Sequence, residues 1–329
     1  MANLRVGAAT SVLTPPLGTQ LIGFFNERLA EDVHDELLAK AFVFESGETQ
    51  IALVVCDLIA LAAEDVAVAR QRASDLTGIP AESTFISATH THYGPATVAI
   101  FNTPREDAYT RWACGRIGEA VKLAQNRLAP ARVGHESALC PEECHNRRYR
   151  MRDGTVRMNP GYLNPDIISP AGPTDPEVGV LALEQLGGGV LGVLGNYSLH
   201  YVGGPYATTV SADYFGAFGR ALERMAGQPF VAAMANGCCG DINNIDVTRP
   251  APEYPHPFHQ MERVGEVLAS QAFKAWREIR QFDAQPALGV GHAAMTFRRR
   301  RPSATELARA QELLEAGPDP DNRDWVYAN

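Results

Sequence analysis

No stretch of this 329-residue sequence approaches the roughly 20 apolar residues that a membrane-spanning helix needs, and the N-terminus, Met1-Ala2-Asn3-Leu4-Arg5, lacks the apolar core of an export signal. A cytoplasmic location is therefore expected. Basic charge is also scarce. Lys and Arg number 29 against 38 Asp and Glu, and a net charge of -9 excludes the broad cationic face that nucleic acid requires. The one basic cluster, Arg298-Arg299-Arg300-Arg301, is followed by acidic sequence and has no interleaved aromatics, so it reads as a solvated face. Six cysteines are too few to staple a chain of this length; Cys56, Cys114, Cys238 and Cys239 lie in apolar surroundings and read as reduced core residues. Cys140-Pro141-Glu142-Glu143-Cys144-His145 holds ligand-type residues but has no second pair to close a zinc site. Repeats and low-complexity tracts are absent.

What the chain does have is a hydrophobic content of 45%, enough to bury a full core in one large domain or two small ones. Short apolar runs alternate with helical patterns, the mark of an α/β fold with a mixed or mostly parallel sheet flanked by helices. The pattern predicts strands over 38–45, 50–56, 84–89, 178–183, 190–200, 229–235 and 287–297. Helices are expected over 63–76, 107–128, 212–225, 260–279 and 304–314, with Ser211 and Ser303 as N-caps of the third and the last. Residues 140–176 break the alternation; dense in Arg, Asn, Gly and Pro, they read as a functional loop, a lid or the wall of a site. His256-Pro257-Phe258-His259 precedes a helix, and the proline between its histidines makes it a solvated helix start rather than a ligand pair.

The chemistry concentrates at strand ends. Ser87-Ala88-Thr89-His90-Thr91-His92-Tyr93-Gly94-Pro95 closes an apolar strand with two imidazoles spaced i, i+2, which on an extended backbone share one face with Ile86 and Ala88. The run 190–199 leads into His200 and the Gly203-Gly204-Pro205 turn, 229–235 into Gly240-Asp241-Ile242-Asn243, and 51–56 into Asp57. In parallel neighbours these ends would gather His90, His92, His200, Asp57 and Asp241 at the carboxyl edge of the sheet, where α/β proteins bind ligands. Such donors suit a borderline-soft divalent ion, zinc first. Asp57 and Asp241 have an alternative reading as turn formers or caps.

In order along the chain, Thr14-Pro15-Pro16-Leu17-Gly18, Val33-His34-Asp35, Thr89-His90-Thr91-His92-Tyr93-Gly94-Pro95, Asn146-Arg147-Arg148, Asn196 to His200, Ser211-Ala212-Asp213-Tyr214 and Gly240-Asp241-Ile242-Asn243 resemble the motifs of the neutral, non-lysosomal ceramidases and their bacterial relatives. The resemblance implies a zinc-dependent amide hydrolase of lipid, or more narrowly sphingolipid, metabolism. It implies a single catalytic domain over residues 1–329, shortened at its C-terminal end and without the immunoglobulin-like domain of secreted relatives. One zinc ion would be held by His90 and His200, while His92, Arg147 and Asp241 would serve the reacting centre and Asn243, Tyr93 and Tyr149 would contact substrate. The substrate would be a small or lipid-like amide. No nucleic acid or membrane span is expected, and the oligomeric state is open.

The chain departs from the family pattern in two places. The nucleophilic serine of the family corresponds to Asn243, which cannot attack a carbonyl, so the expected nucleophile is water activated by zinc. The third and fourth zinc ligands of the family, a glutamate and a tyrosine, have no counterpart motif; Glu306 and Glu312 are the available carboxylates on the last helix. The departures favour a second reading, a metal- or ligand-binding remnant without turnover; the His-rich and Gly-Asp strand ends suggest a third, a dinuclear metallophosphoesterase, whose Gly-Asn-His element is not matched by Gly195-Asn196-Tyr197.

Overall fold

The computed structural model describes residues 4–101, 103–204, 206–299, 301–317, 319 and 325; Pro205 and Arg300 fall outside them. Eight strands form the main sheet: β1 (Arg5–Val12), β2 (Leu38–Ser46), β3 (Thr49–Cys56), β4 (Thr84–Ala88), β5 (Ala129–Leu139), β6 (Glu177–Gln185), β7 (Val190–Tyr197) and β8 (Val231–Asn236). Their spatial order is β8-β7-β6-β5-β1-β2-β3-β4. Only β3 with β4 and β7 with β8 pair in parallel, and the remaining neighbours are antiparallel. The sheet is thus mixed, and the mostly parallel alternative does not hold.

Strand β2 shows how the layers arise. Its odd residues, Ala39, Ala41 and Val43, pack under helices α1 (Ala63–Thr77) and α2 (Asp107–Gln125), while Phe42 and Phe44 point to the opposite face. The sheet folds over so that this second face meets its own other half, burying Leu4, Val6 and Val55 with Ala131, Leu183 and Ala233. Helices α3 (Asp213–Ala226) and α4 (His259–Glu278) cover the outside of the second half through Phe215, Phe218, Leu222, Val264 and Leu268. The result is four layers, helices outside and two half-sheets inside. Folding the sheet brings its edge strands, β4 and β8, close to each other. The chain leaves β4 at Thr89 and β8 at Gly237, so two strand ends from opposite halves face one another.

All five helices lie within a few residues of their expected bounds, including α5 (Ala304–Glu315), where Ser303 accepts from the Glu306 N–H and Glu306 reaches back to the Ser303 N–H. Ser211 acts one residue earlier than a cap: α3 follows Ala212, and the Ser211 hydroxyl accepts from the Asp213 N–H at 3.0 Å. The expected strand at 287–297 is absent; the segment is exposed and finds no partner strand. Strands β1 and β5 escaped the sequence reading because they are built of small and polar residues. Gly7 in β1 shows why: a Cβ there would lie 2.0 Å from the Ala124 carbonyl oxygen, so α2 seats directly on the strand backbone. No helix among the described residues is long and apolar enough to cross a membrane.

Candidate metal centre

The two-residue alternation expected for His90 and His92 does not position them. Strand β4 ends at Ala88, and His90 adopts φ 68, the left-handed region that a non-glycine residue enters only when its surroundings enforce it. The turn nevertheless brings both rings to the end of β7. Ring centroids lie 4.8 Å apart for His90 and His92, 4.6 Å for His90 and His200, and 5.0 Å for His92 and His200. One donor nitrogen from each of the three lies within 4.8 Å of the others, and this is the metal-capable group found among the described residues. His92 therefore belongs with the two histidines expected to bind the ion, and neither Glu306 nor Glu312 joins them.

Backbone carbonyls set two of the three tautomers. His90 Nδ1 lies 2.8 Å from the Ile59 carbonyl and His200 Nδ1 3.2 Å from the Cys239 carbonyl. A carbonyl only accepts, so each Nδ1 carries the proton and each Nε2 keeps its lone pair. His92 is held by packing: Tyr201 stacks on it at 3.8 Å between centroids and 15° between planes, with Phe24 edge-on at 6.3 Å. Both His92 ring nitrogens are buried without a hydrogen-bond partner. Three imidazoles whose ring nitrogens converge, with the Nε2 of His90 and of His200 left free by their Nδ1 bonds, fit a nitrogen-binding divalent cation.

Gly23 is required for this arrangement. Its φ is +110, and a Cβ would meet His92 Cγ at 2.6 Å. We expect Gly23→Ala to combine backbone strain with overlap at a cost of about 2–6 kcal/mol. Metal content should fall with stability, as read by thermal melts and elemental analysis. Full retention of both would refute the tight seat.

Two of the three rings resist protonation. Burial, and then the neighbouring His200 and His90, push His92 down to about 2; burial, the Arg147 charge and His90 push His200 down to about 4. In the unfolded chain both return to about 6.5. Below about pH 6.5 the unfolded state takes up protons that the folded state refuses, so metal-free protein should lose about 1.4 kcal/mol per pH unit for each ring until the folded values are reached. Above that window these rings leave stability flat. Urea midpoints in chelator from about pH 7 to about pH 5 read the slope, which His92→Phe should make shallower; an unchanged slope would contradict a buried neutral ring.

The other expected site residues divide. Arg147 reaches the cluster: its charge acts on His200, Tyr201 and Cys239, and its guanidinium donates to the Gly240 carbonyl. Asp241 is engaged in the wall, accepting from Asn146 Nδ2 at 2.9 Å with its side chain and from the Arg147 N–H at 2.7 Å with its carbonyl. The Asn243 amide donates to Asn159 Oδ1 at 2.8 Å and accepts from the Ile245 N–H at 3.1 Å, and the residue does not line the cavity at His90 and His200. Tyr93 is buried, and its hydroxyl is shared between the carbonyl and the N–H of Gly204. Tyr149 lies in a separate small core with Met151 and Val247. Asp57 does not approach the histidines as a ligand: it is fully buried in an ion pair with Lys40 at 2.8 Å and also accepts from the Leu38 N–H.

Three residues overlooked in the sequence hold the site together. Arg28, buried under Phe24 with its guanidinium 4.0 Å from the ring centroid, donates to the carbonyls of Ile22, His92 and Ala207. Asp213 accepts from the N–H groups of Val202, Gly203 and Tyr214 and so fixes the loop after His200; burial pushes its carboxyl up to about 6. Tyr201 forms the floor under His92. Only Asp213 carried a signal, the Ser-Ala-Asp-Tyr element, since the contacts of Arg28 and Tyr201 span segments distant in sequence. Beside His90 and His200 opens a cavity of about 470 Å³, walled by Ile59, Leu61, Val66 and Ile86 on one side and by Asn236, Cys239 and Gly240 on the other.

No protein-family model matches the chain, and no curated protein matches it by sequence. Among solved structures it is similar to the neutral ceramidase of Pseudomonas aeruginosa, with a TM-score of 0.69 and 20% identity over 86% of this chain and 46% of that one. A ceramidase complexed with C2 gives a TM-score of 0.67 and 19% identity over 86% and 45%. The chain spans less than half the length of these structures. The likeness read from the motifs is met at the level of the fold: this chain has the α/β architecture of the neutral ceramidase structures.

Proposed function

We propose that this protein is a zinc-dependent hydrolase of N-acyl amides, acting on a lipid-like substrate of the kind found in sphingolipid or related metabolism. The observation that carries the reading is the triad of converging imidazoles, two of which line a largely apolar cavity, within a fold shared with a protein named as a neutral ceramidase. His90, His200 and His92 would hold the ion through their free ring nitrogens. When bound, zinc supplies a Lewis acid for the amide carbonyl and lowers the pKa of water toward neutrality. Ile59, Leu61, Val66 and Ile86 take the acyl chain, whose burial orients the amide toward the histidines. Arg147 offers a guanidinium to the oxygen that gains charge as the carbonyl becomes tetrahedral. Asp241, bonded to Asn146, positions the Arg147 backbone. Water is the nucleophile, because the Asn243 amide has no acidic proton to lose and is occupied by Asn159 and Ile245.

The test is zinc loading of the full chain followed by fatty-acid release from N-acyl substrates of graded chain length. Turnover proportional to one zinc per chain, with no burst and no acyl adduct, is the expected result. Zinc bound without release of any acyl group favours the non-catalytic reading, which the asparagine at position 243 supports. Two bound metals with phosphoesterase activity would replace both.

A further inference from the structure

The segment after Cys140 folds into a separate three-stranded antiparallel sheet, Arg148–Met151, Val156–Met158 and Ile167–Pro170. Its two faces differ in kind. Tyr149 and Met151 are buried with Ile167, Ile245 and Val247, which anchors the sheet to the loop after β8. The register sets Arg148 opposite Met158 and Arg150 opposite Val156, so these four side chains share the other face. That face is uncovered: Val156 is 43%, Met158 50% and Ile168 62% exposed, and Leu163 on the adjoining turn is 58% exposed. The side chains of Arg148 and Arg150 are exposed and make no ion pair among the described residues, whereas Arg157 is tied to Asp153.

Charge identifies the occupant. Residues 145–170 hold five arginines and two aspartates within a chain of net charge -9, so this is a local cationic patch on an acidic molecule. Unpaired arginines interleaved with exposed aliphatic side chains match an anionic bilayer surface, where the apolar groups enter the acyl boundary and the guanidinium groups remain among the headgroups. A nucleic acid would call for a broad cationic face, whereas this patch is local to a chain of net charge -9 and is interleaved with exposed aliphatic side chains. We propose that the outer face of this small sheet docks the protein on anionic lipid surfaces. The segment that docks is continuous with Arg147, and Asn159 bonds both to the Arg147 carbonyl and to Asn243, so docking holds the Gly240 wall of the cavity beside the membrane.

Flotation of the full chain with phosphatidylcholine vesicles, with and without about 30% phosphatidylglycerol, tests this without any turnover, so it can fail while the hydrolase reading stands. Binding is expected only with the anionic lipid and should weaken as salt rises. Arg148→Ala/Arg150→Ala should lose about fivefold in partitioning for each arginine removed. Val156→Ser/Met158→Ser/Ile168→Ser changes only exposed residues; it should keep the wild-type circular dichroism and lose vesicle binding. An environment-sensitive dye on Met158→Cys should shift to the blue on binding. No flotation, flotation unaffected by either set of changes, or a dye that stays in water would each overturn the proposal. So would a wild-type dimer that the triple variant dissociates, since that makes the face a contact between copies.

Discussion

Replacing His200 by alanine is expected to remove the metal and the hydrolysis together, with affinity falling by more than the 10- to 100-fold that loss of a mere outer partner costs. The expectation rests on the Cys239 carbonyl, which commits His200 Nδ1 as a donor and leaves Nε2 free toward His90 and His92. His92→Ala separates two roles. A residue that only handles a proton can be removed with zinc content intact, whereas a third ligand takes the zinc with it. The two unpartnered ring nitrogens of His92, buried against Tyr201 and Gly23, favour the ligand. Elemental analysis beside fatty-acid release decides between them: we expect both to fall for His92→Ala and for His200→Ala. Zinc retained at one per chain in His200→Ala would remove the basis of the site.

What the sequence disclosed depends on how local each signal is. Helix α5 was legible to its cap because Ser303 and Glu306 are three residues apart and satisfy each other. His90 and His200 were legible because each follows an apolar strand and precedes a glycine-rich turn. The convergence of His92 with them was expected as well, but the geometry that achieves it was not, since it depends on a left-handed His90 and on Gly23 and Tyr201 from other segments. Tyr93 and Tyr149 were expected to contact substrate, yet alternation turns Tyr149 into a core and the Gly204 backbone consumes the Tyr93 hydroxyl. Asn243 occupies the motif position of a nucleophile while its side chain is spent on Asn159 and Ile245. Small-residue strands such as β1 were invisible because their identity lies in close helix packing rather than in apolar alternation.

Asp57 shows the same limit from the opposite direction, and its partner yields the largest expected loss of stability. Its place after the apolar run 51–56 suggested a ligand at the sheet edge. The deciding residue is Lys40, which sits on β2 in the same alternation as Phe42 and Phe44 and therefore points into the apolar interior. There its ammonium lies 2.9 and 2.8 Å from the two Asp57 oxygens, both side chains almost wholly buried. Burial pushes the Asp57 carboxyl up, and the Lys40 charge opposes that shift. Lys40→Met removes the opposing charge and leaves a carboxylate with the Leu38 N–H as its remaining partner, a change expected to cost about 3–5 kcal/mol near neutral pH. The variant gives a pH dependence of definite sign. With its folded pKa raised above the unfolded value, Asp57 binds a proton more readily in the folded state, so the variant's loss relative to the wild-type chain should be smaller at about pH 5 than at about pH 8. The loss should grow as pH rises through that window, whatever the histidines contribute to both chains alike. Adding Asp57→Asn removes the buried charge and should recover most of the loss at the higher pH, because a neutral amide can still accept from Leu38. Denaturant midpoints for the single and double variants at both pH values measure this directly. A single-variant loss, relative to wild type, that is equal at both pH values, or a double variant no better than the single, would show that the pair contributes through packing and not through charge.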